Sequence, residues 1–143
     1  MLTFFPQETR VSCTVACLRM VLFHWGIESD ESMLRLCCKT TQQGTRASEV
    51  VACARQYNLS AEELRDVPWQ KLQAWLSEGI YPIALLNLYP LHALWVNHAV
   101  VLENIHEDMV DYLDPIFGRK SSPRAPFEQA WEMNRKRAIL IWR

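Results

Sequence analysis

Apolar residues change their spacing near residue 80, and this change constrains the fold more strongly than any other feature of the sequence. Before that point they recur three and four residues apart, which is typical of amphipathic helices. In the first such segment Val15, Leu18 and Leu22 share one face, and Gly26 stands where a helix C-terminal glycine belongs. Four helices are predicted here: over residues 12–25, from a cap at Ser29 or Asp30 to about Leu36, over 47–57 after a Thr45 cap, and over 68–79.

After residue 80 the apolar residues form short continuous runs that are typical of buried strands. Strands are predicted over 80–88, 96–105, 109–113 and 138–142, with a short helix over 126–133. A polar turn at 106–108 joins the second and third strands as a hairpin. Helices followed by antiparallel strands predict an α+β fold, with N-terminal helices packed on a C-terminal antiparallel sheet. Because no Pro/Gly/Ser-rich linker divides the 143 residues, we expect a single domain over 1–143.

Composition and charge exclude several classes of protein. Half of the residues are hydrophobic and the net charge is −1, so the chain is globular and no basic face indicates a nucleic-acid partner. No apolar run reaches the roughly 18 residues of a membrane span, and the N-terminus lacks the apolar segment of a signal peptide. No Cys-x-x-Cys pair is present, so we expect no structural zinc site. These features predict a cytoplasmic protein with free thiols.

Five cysteines, an odd number, lie in the first 53 residues: Cys13, Cys17, Cys37, Cys38 and Cys53. Cys13 stands at the start of the first predicted helix, where the partial positive charge of the helix N-terminus favours the nucleophilic thiolate. Cys17 lies one turn further on among apolar neighbours and is predicted to belong to the core. The other three are interpreted as buried or half-buried thiols, with redox sensing or metal binding by Cys37-Cys38 as the alternative. Cys13 is therefore the candidate nucleophile.

A nucleophilic cysteine needs a base, and the base needs a group that orients it. His98 begins an apolar strand, and Asp114 ends the next strand of the predicted hairpin. A turn centred on residue 106 makes them neighbours across the ladder, so Asp114 can accept from one ring nitrogen while the other faces Cys13. Gln7 lies six residues before Cys13, and its amide can donate to an oxyanion together with the Cys13 N–H.

These residues also belong to a wider pattern. Gln7 and Cys13 form a Gln-x5-Cys element followed by Ala-Cys-Leu-x-Met at 16–20, and Asn-His-Ala-Val-Val-Leu at 97–102 precedes Tyr-Leu-Asp-Pro at 112–115. The pattern extends over nearly the whole chain through Gly44-Thr45, Gly118, Phe127 and Trp131. The chain thereby resembles the double-glycine peptidases, the papain-like cysteine peptidases that form the N-terminal domain of bacteriocin-exporting ABC transporters.

The resemblance implies a papain-like fold and a role for each candidate residue. Cys13 would be the nucleophile, His98 the general base, Asp114 the group that orients the base, and Gln7 the oxyanion donor. It also implies cleavage of leader peptides after Gly-Gly or Gly-Ala, a hydrophobic surface for the leader helix, and no metal or organic cofactor. The family usually has Asp-Cys-Gly at the nucleophile, whereas this chain has Ser12-Cys13-Thr14, so its substrate preference is open.

The sequence leaves three functions open, with a cysteine peptidase that uses a Cys-His-Asp triad favoured over the other two. A transglutaminase, amidase or deamidase would use the same triad and acyl-enzyme. A non-catalytic module that binds leader peptides is the third, and association with a transporter or another complex fits all three. The predicted partner is a peptide or protein substrate. The apolar segment 89–95 before His98 is compatible with a substrate-groove wall, a buried loop or a dimer contact.

Overall fold

The structure is a computed structural model that describes residues 1–143, and it contains six helices and six strands. The helices are α1 Cys13–His24, α2 Glu31–Cys37, α3 Ala47–Gln56, α4 Trp69–Ser77, α5 Tyr89–His92 and α6 Arg124–Glu132. The strands are β1 Ser60–Leu64, β2 Ile83–Asn87, β3 Asn97–His106, β4 Met109–Asp114, β5 Gly118–Pro123 and β6 Ala138–Trp142. None of the helices is long and apolar enough to cross a membrane.

All six strands form one antiparallel sheet in the order β1-β6-β2-β3-β4-β5, and helices cover both of its faces. Successive side chains of a strand point to opposite faces. In β3, Ala99 and Val101 pack with α1, α2 and α3, whereas Val100 and Leu102 pack with α4 and α6. The predicted α+β fold, with N-terminal helices on an antiparallel sheet, is confirmed, and the second helical layer completes it.

Helix α1 is the central element of the larger core, as its apolar spacing predicts. Residues 15–18 and 20–22 have no solvent-exposed surface, and the helix packs against β3. Gly26 follows the helix with φ +85°, a conformation that glycine adopts without strain, so the predicted C-terminal stop is confirmed. Because α1 is fixed along its whole length, Cys13 at its first position is held at one end of the sheet.

The edge strands β1 and β5 and the short helix α5 were not predicted from the sequence. Strand β1 pairs only with β6, and β5 pairs only with β4, so both edges carry many exposed polar residues and lack a strong apolar pattern. The predicted Thr45 cap is also wrong, because Arg46 takes the cap position of α3. The Thr45 hydroxyl instead shares a 2.7 Å hydrogen bond with the hydroxyl of Thr40.

The expectation of five free thiols is wrong for two of the cysteines. Cys37, at the end of α2, and Cys53, in α3, form a disulfide with their Cα atoms 5.6 Å apart. They lie 16 residues apart in the chain, and only the packing of α2 against α3 brings them together. Cys13, Cys17 and Cys38 remain free, and the last two are fully buried.

The disulfide predicts a specific alkylation pattern. Denatured, unreduced protein should take up alkylating reagent at three cysteines, and reduced protein at all five, as counted by mass spectrometry. Closing a loop of this size stabilises the fold by about 3 kcal/mol, so reduction should lower the midpoint of denaturant unfolding. The Cys37→Ser/Cys53→Ser protein is the control and should not respond to reductant. Five modified cysteines without reduction would contradict the pairing.

Candidate active site

The start of α1 leaves its first backbone amides without a side-chain partner. Ser12 occupies the cap position and is fully buried, but its hydroxyl does not cap the helix. Instead the Ser12 Oγ accepts a hydrogen bond from the Thr9 N–H at 3.0 Å. Amides at a helix N-terminus favour negative charge, so the Cys13 thiolate and an anionic oxygen are both stabilised at this position.

His98 and Asp114 form a buried hydrogen bond at the same end of the sheet. The Nε2 atom of His98 lies 2.7 Å from Oδ1 of Asp114, and their side chains are only 3% and 1% exposed. Oδ1 also accepts from the backbone amides of Ile116 at 2.8 Å and Phe117 at 3.2 Å. Asp114 is therefore fixed by the loop that follows it, and it in turn orients the imidazole.

The two residues meet in a register that differs from the predicted one. Val101 lies opposite Leu113, two residues away from the pairing that a turn centred on residue 106 predicts. The ladder shifts between Leu102 and Asn104 at a β-bulge. The side chains of His98 and Asp114 therefore meet diagonally across the ladder, within reach of long side chains.

Cys13 and His98 shift each other's proton affinity. Burial alone would raise the pKa of the Cys13 thiol, but hydrogen bonding to His98 and the charge of its ring lower it below the ordinary value. Burial would lower the pKa of His98, but its hydrogen bonds to Asp114 and Cys13 raise it to about 9. Burial raises the pKa of Cys17 far above the usual range. Each of the two groups therefore favours the charged form of the other.

Gln7 lies in the same groove as Cys13 and His98. Its backbone N–H donates to the Pro115 carbonyl at 3.1 Å, which ties it to the loop after Asp114. Its side-chain Nε2 donates one hydrogen to the Thr9 carbonyl at 2.7 Å, and the Oε1 atom is buried without a partner. The second amide hydrogen has no partner among these bonds, which leaves it available to a substrate oxygen.

The groove has two arms that meet at Cys13 and His98. One arm, here called the polar arm, is lined mainly by Gln43, Thr45, Arg46, Glu63, Arg65, Asn134 and Arg137. The other, the apolar arm, is lined by Leu88, Leu94, Val96, Ile116 and Phe117. The segment 89–95 is exposed at Tyr89, Leu94 and Trp95 and borders the apolar arm, so the interpretation as a buried loop is wrong.

The structure thus brings together all four residues that the sequence singled out: Gln7, Cys13, His98 and Asp114. It adds a fully buried carboxylate, Glu31, that binds the backbone beside Gln7. The burial of Glu31 could not be predicted from the sequence, because Glu31 and Arg35 are spaced four apart like an ordinary surface ion pair. His, Cys, Asp and Glu side chains form no group of three that could hold a metal ion.

Solved peptidase structures share this fold. The double glycine motif protease of an AMS/PCAT transporter, solved with its leader peptide, matches 99% of this chain and 91% of its own, with a TM-score of 0.82 at 22% identity. A C39-like peptidase from Bacillus anthracis matches 99% and 94%, with a TM-score of 0.83 at 18% identity. The peptidase domain of Streptococcus ComA matches 99% and 96%, with a TM-score of 0.77 at 20% identity. At these identities the likeness shows a shared fold, and the expected papain-like peptidase fold is confirmed.

Sequence comparison agrees with the fold. The chain is 25% identical over 139 residues to the mesentericin-Y105 transport/processing ATP-binding protein MesD of Leuconostoc mesenteroides. The match covers 90% of this chain but only 17% of that relative's length. The sequence model of the Peptidase C39 family matches residues 2–142. This chain therefore belongs to the peptidase C39 family of cysteine peptidases.

Proposed function

We propose that this chain cleaves a peptide bond through a catalytic triad of Cys13, His98 and Asp114, with Gln7 as oxyanion donor. The observation that carries the proposal is the buried 2.7 Å hydrogen bond from His98 Nε2 to Asp114 Oδ1. It leaves Nδ1 of the imidazole for the thiol at the start of α1, whose pKa is lowered by His98. A thiolate, a protonated base and an oriented carboxylate are what acyl transfer by cysteine requires.

In the first half-reaction the Cys13 thiolate attacks the carbonyl carbon, and a C–S bond forms while the carbonyl oxygen takes up the negative charge. The Cys13 N–H and the Gln7 amide donate to that oxygen. The C–N bond then breaks, and the His98 imidazolium gives its proton to the leaving amine. In the second half-reaction His98 takes a proton from water, which attacks the thioester and releases the acid and the thiolate.

We further propose that the substrate is a leader-bearing peptide cut after two small residues. The double glycine motif protease that shares this fold was solved with a leader peptide, and MesD is a transport/processing protein. In this chain Thr14 lines the polar arm beside the nucleophile, with its hydroxyl 3.8 Å from the Cys13 sulfur. A side chain at that place leaves little room for bulky residues next to the scissile bond. We include in this proposal that the chain acts together with a transporter.

The rival activities share the acyl-enzyme and differ in the acceptor or the bond. Hydrolysis of a peptide bond gives two fragments, amine transfer gives a cross-linked product, and amide hydrolysis raises the mass of the intact peptide by about one dalton. Mass spectrometry of Gly-Gly peptides after incubation distinguishes the three, with Cys13→Ala as the inactive control. We expect two fragments from the wild type; intact peptide bound without turnover would support the non-catalytic module instead.

We also propose that the chain acts in the cytoplasm, because Cys13 reacts only as a free thiol and thiols stay reduced there. Disulfides are rare in that compartment, so the Cys37–Cys53 bond is a feature that the proposed location must be tested against. Alkylation of protein trapped in intact cells measures how much of Cys13 and of this pair is oxidised in the protein's own compartment. Free Cys13 is the expected result, and Cys13 oxidised throughout the population would contradict the location.

The triad predicts a characteristic pH dependence of Cys13 alkylation by iodoacetamide. The wild-type alkylation rate should already be high below pH 8.5, which is about the pKa of an ordinary thiol. The rate should then change near pH 9, where His98 loses its proton. His98→Ala removes the group that lowers the pKa of Cys13, so its profile should move to higher pH. Asp114→Asn removes the charge that raises the pKa of His98, so the upper transition should move to lower pH. Identical profiles for all three proteins would contradict the triad.

Thr14 predicts a selective change in substrate preference. Replacing Thr14 by Gly opens the polar arm beside Cys13, so the preference for Gly-Gly over Leu-Leu before the scissile bond should fall by about tenfold. Thr14→Ser, which removes only the methyl group, should give an intermediate ratio. Rates of cleavage of the two peptides, compared as kcat/KM, measure the effect. An unchanged ratio in both variants would show that Thr14 does not limit the substrate.

A further inference from the structure

We propose that Glu31 is a positioning residue that holds the oxyanion donor Gln7 in place from the next helix. The inference rests on the proposed function, since it assigns Glu31 a role in the same acyl transfer. Glu31 touches no reacting atom in this role. It acts on the chain segment that carries Gln7, and its effect on the reaction passes through that segment.

Glu31 is the first residue of α2, and it has no solvent-exposed surface. A carboxylate is seldom fully buried unless its oxygens are bonded. Here Oε1 accepts a hydrogen bond from the backbone N–H of Glu8 at 3.0 Å, and Oε2 pairs with Arg35 one turn along the helix. One oxygen is thus used within α2, and the other binds the residue directly after Gln7.

Three consecutive backbone amides around Gln7 are held by three different parts of the molecule. The Gln7 N–H donates to the Pro115 carbonyl, the Glu8 N–H to Glu31, and the Thr9 N–H to the buried Ser12 hydroxyl. The bond to Pro115 ties the segment to the loop after Asp114, and the bond to Ser12 ties it to the start of α1. Glu31 supplies the third attachment, to α2, and it is the only carboxyl group among the three acceptors.

Basic residues of two helices hold the side chain of Glu8 as well. Its carboxylate lies 3.5 Å from Arg35 of α2 and 3.5 Å from Arg19 of α1. These pairs are partly exposed and contribute little energy by themselves. The buried bond to Glu31 is different, because losing it leaves the Glu8 amide and Arg35 without their shared partner. Glu31 therefore sets where the backbone at residue 8 lies.

The side chain of Gln7 depends on this backbone for its own position. Its Nε2 is bonded only to Thr9, two residues along the same segment, and its Oε1 has no partner. A shift of the segment would therefore carry the amide with it. Misplacement of a catalytic group by about 1 Å can cost about 100-fold in rate. We expect loss of Glu31 to weaken oxyanion stabilisation while the Cys13–His98 pair stays intact.

Two reactions of the same thiol separate these effects. Alkylation by iodoacetamide occurs at a tetrahedral carbon and forms no oxyanion, so it reports the thiolate alone. Acylation by N-benzyloxycarbonyl-glycine p-nitrophenyl ester passes through an oxyanion and releases coloured nitrophenolate, and it needs no knowledge of the natural peptide. The ratio of the acylation rate to the alkylation rate therefore measures oxyanion stabilisation.

We expect Gln7→Ala to lower this ratio by about 100-fold, the usual scale for one oxyanion donor, and Glu31→Ala to lower it by about tenfold. Glu31→Gln keeps an acceptor for the Glu8 N–H and should stay within about threefold of the wild type. In the double variant Gln7→Ala/Glu31→Ala the ratio should equal that of Gln7→Ala alone, because Glu31 acts through Gln7. Glu128→Ala, which removes an i,i+4 ion pair from α6, is the matched control and should leave the ratio unchanged.

Thermal unfolding of each variant accompanies the rates. Should Glu31→Ala not fold, Glu31→Asp replaces it, since it keeps the charge but shortens the side chain by one carbon and should lower the ratio severalfold. If Glu31→Ala, or Glu31→Asp where it replaces Glu31→Ala, has the same ratio as the wild type, the inference is overturned. Additive losses in the double variant would also overturn it. Slow alkylation of wild-type Cys13, at the rate of an ordinary thiol, would instead overturn the proposed triad.

Discussion

The hydrogen bond between His98 and Asp114 is the interaction on which the candidate site depends. It joins the second residue of β3 to the last residue of β4 at 2.7 Å, with both side chains almost completely buried. The two amides of the following loop fix the carboxylate, so the imidazole has one orientation available. The raised pKa of His98 follows from this bond and from Cys13, and the lowered pKa of Cys13 follows from His98. The lowered pKa of Cys13 therefore depends on the geometry of a hairpin.

The oxyanion side of the site depends on a second set of bonds. Residues 7–9 lie outside the helices and strands, and each of their amides is bound by a different part of the molecule. Ser12 binds that segment instead of capping α1, which leaves the first amides of α1 without a side-chain partner. In the proposed mechanism the hairpin thus supplies the base, and the anchored segment supplies the oxyanion donor Gln7. The thiol lies between them at the first residue of α1.

Local sequence signals predicted the elements that bury continuous apolar surface. They did not predict the features that depend on strand pairing or on packing between helices. The apolar spacing of α1 and the run of β3 were sufficient for both elements. The edge strands β1 and β5 carry too few apolar residues to be recognised. The hairpin register differs from the predicted one because the turn lies at residues 107–108, between the paired residues His106 and Met109. The Cys37–Cys53 bond and the burial of Glu31 both arise from the packing of α2, which no single segment encodes.

The central claim is that His98 is a stable imidazolium beside the Cys13 thiolate at neutral pH. Titration of the His98 ring by NMR in labelled protein measures this directly. The account predicts that the ring keeps its proton at pH 7 and loses it near pH 9. In Cys13→Ser protein, where the negative charge is absent, the ring should lose its proton at lower pH. A His98 ring that is neutral at pH 7 in the wild type would contradict the account.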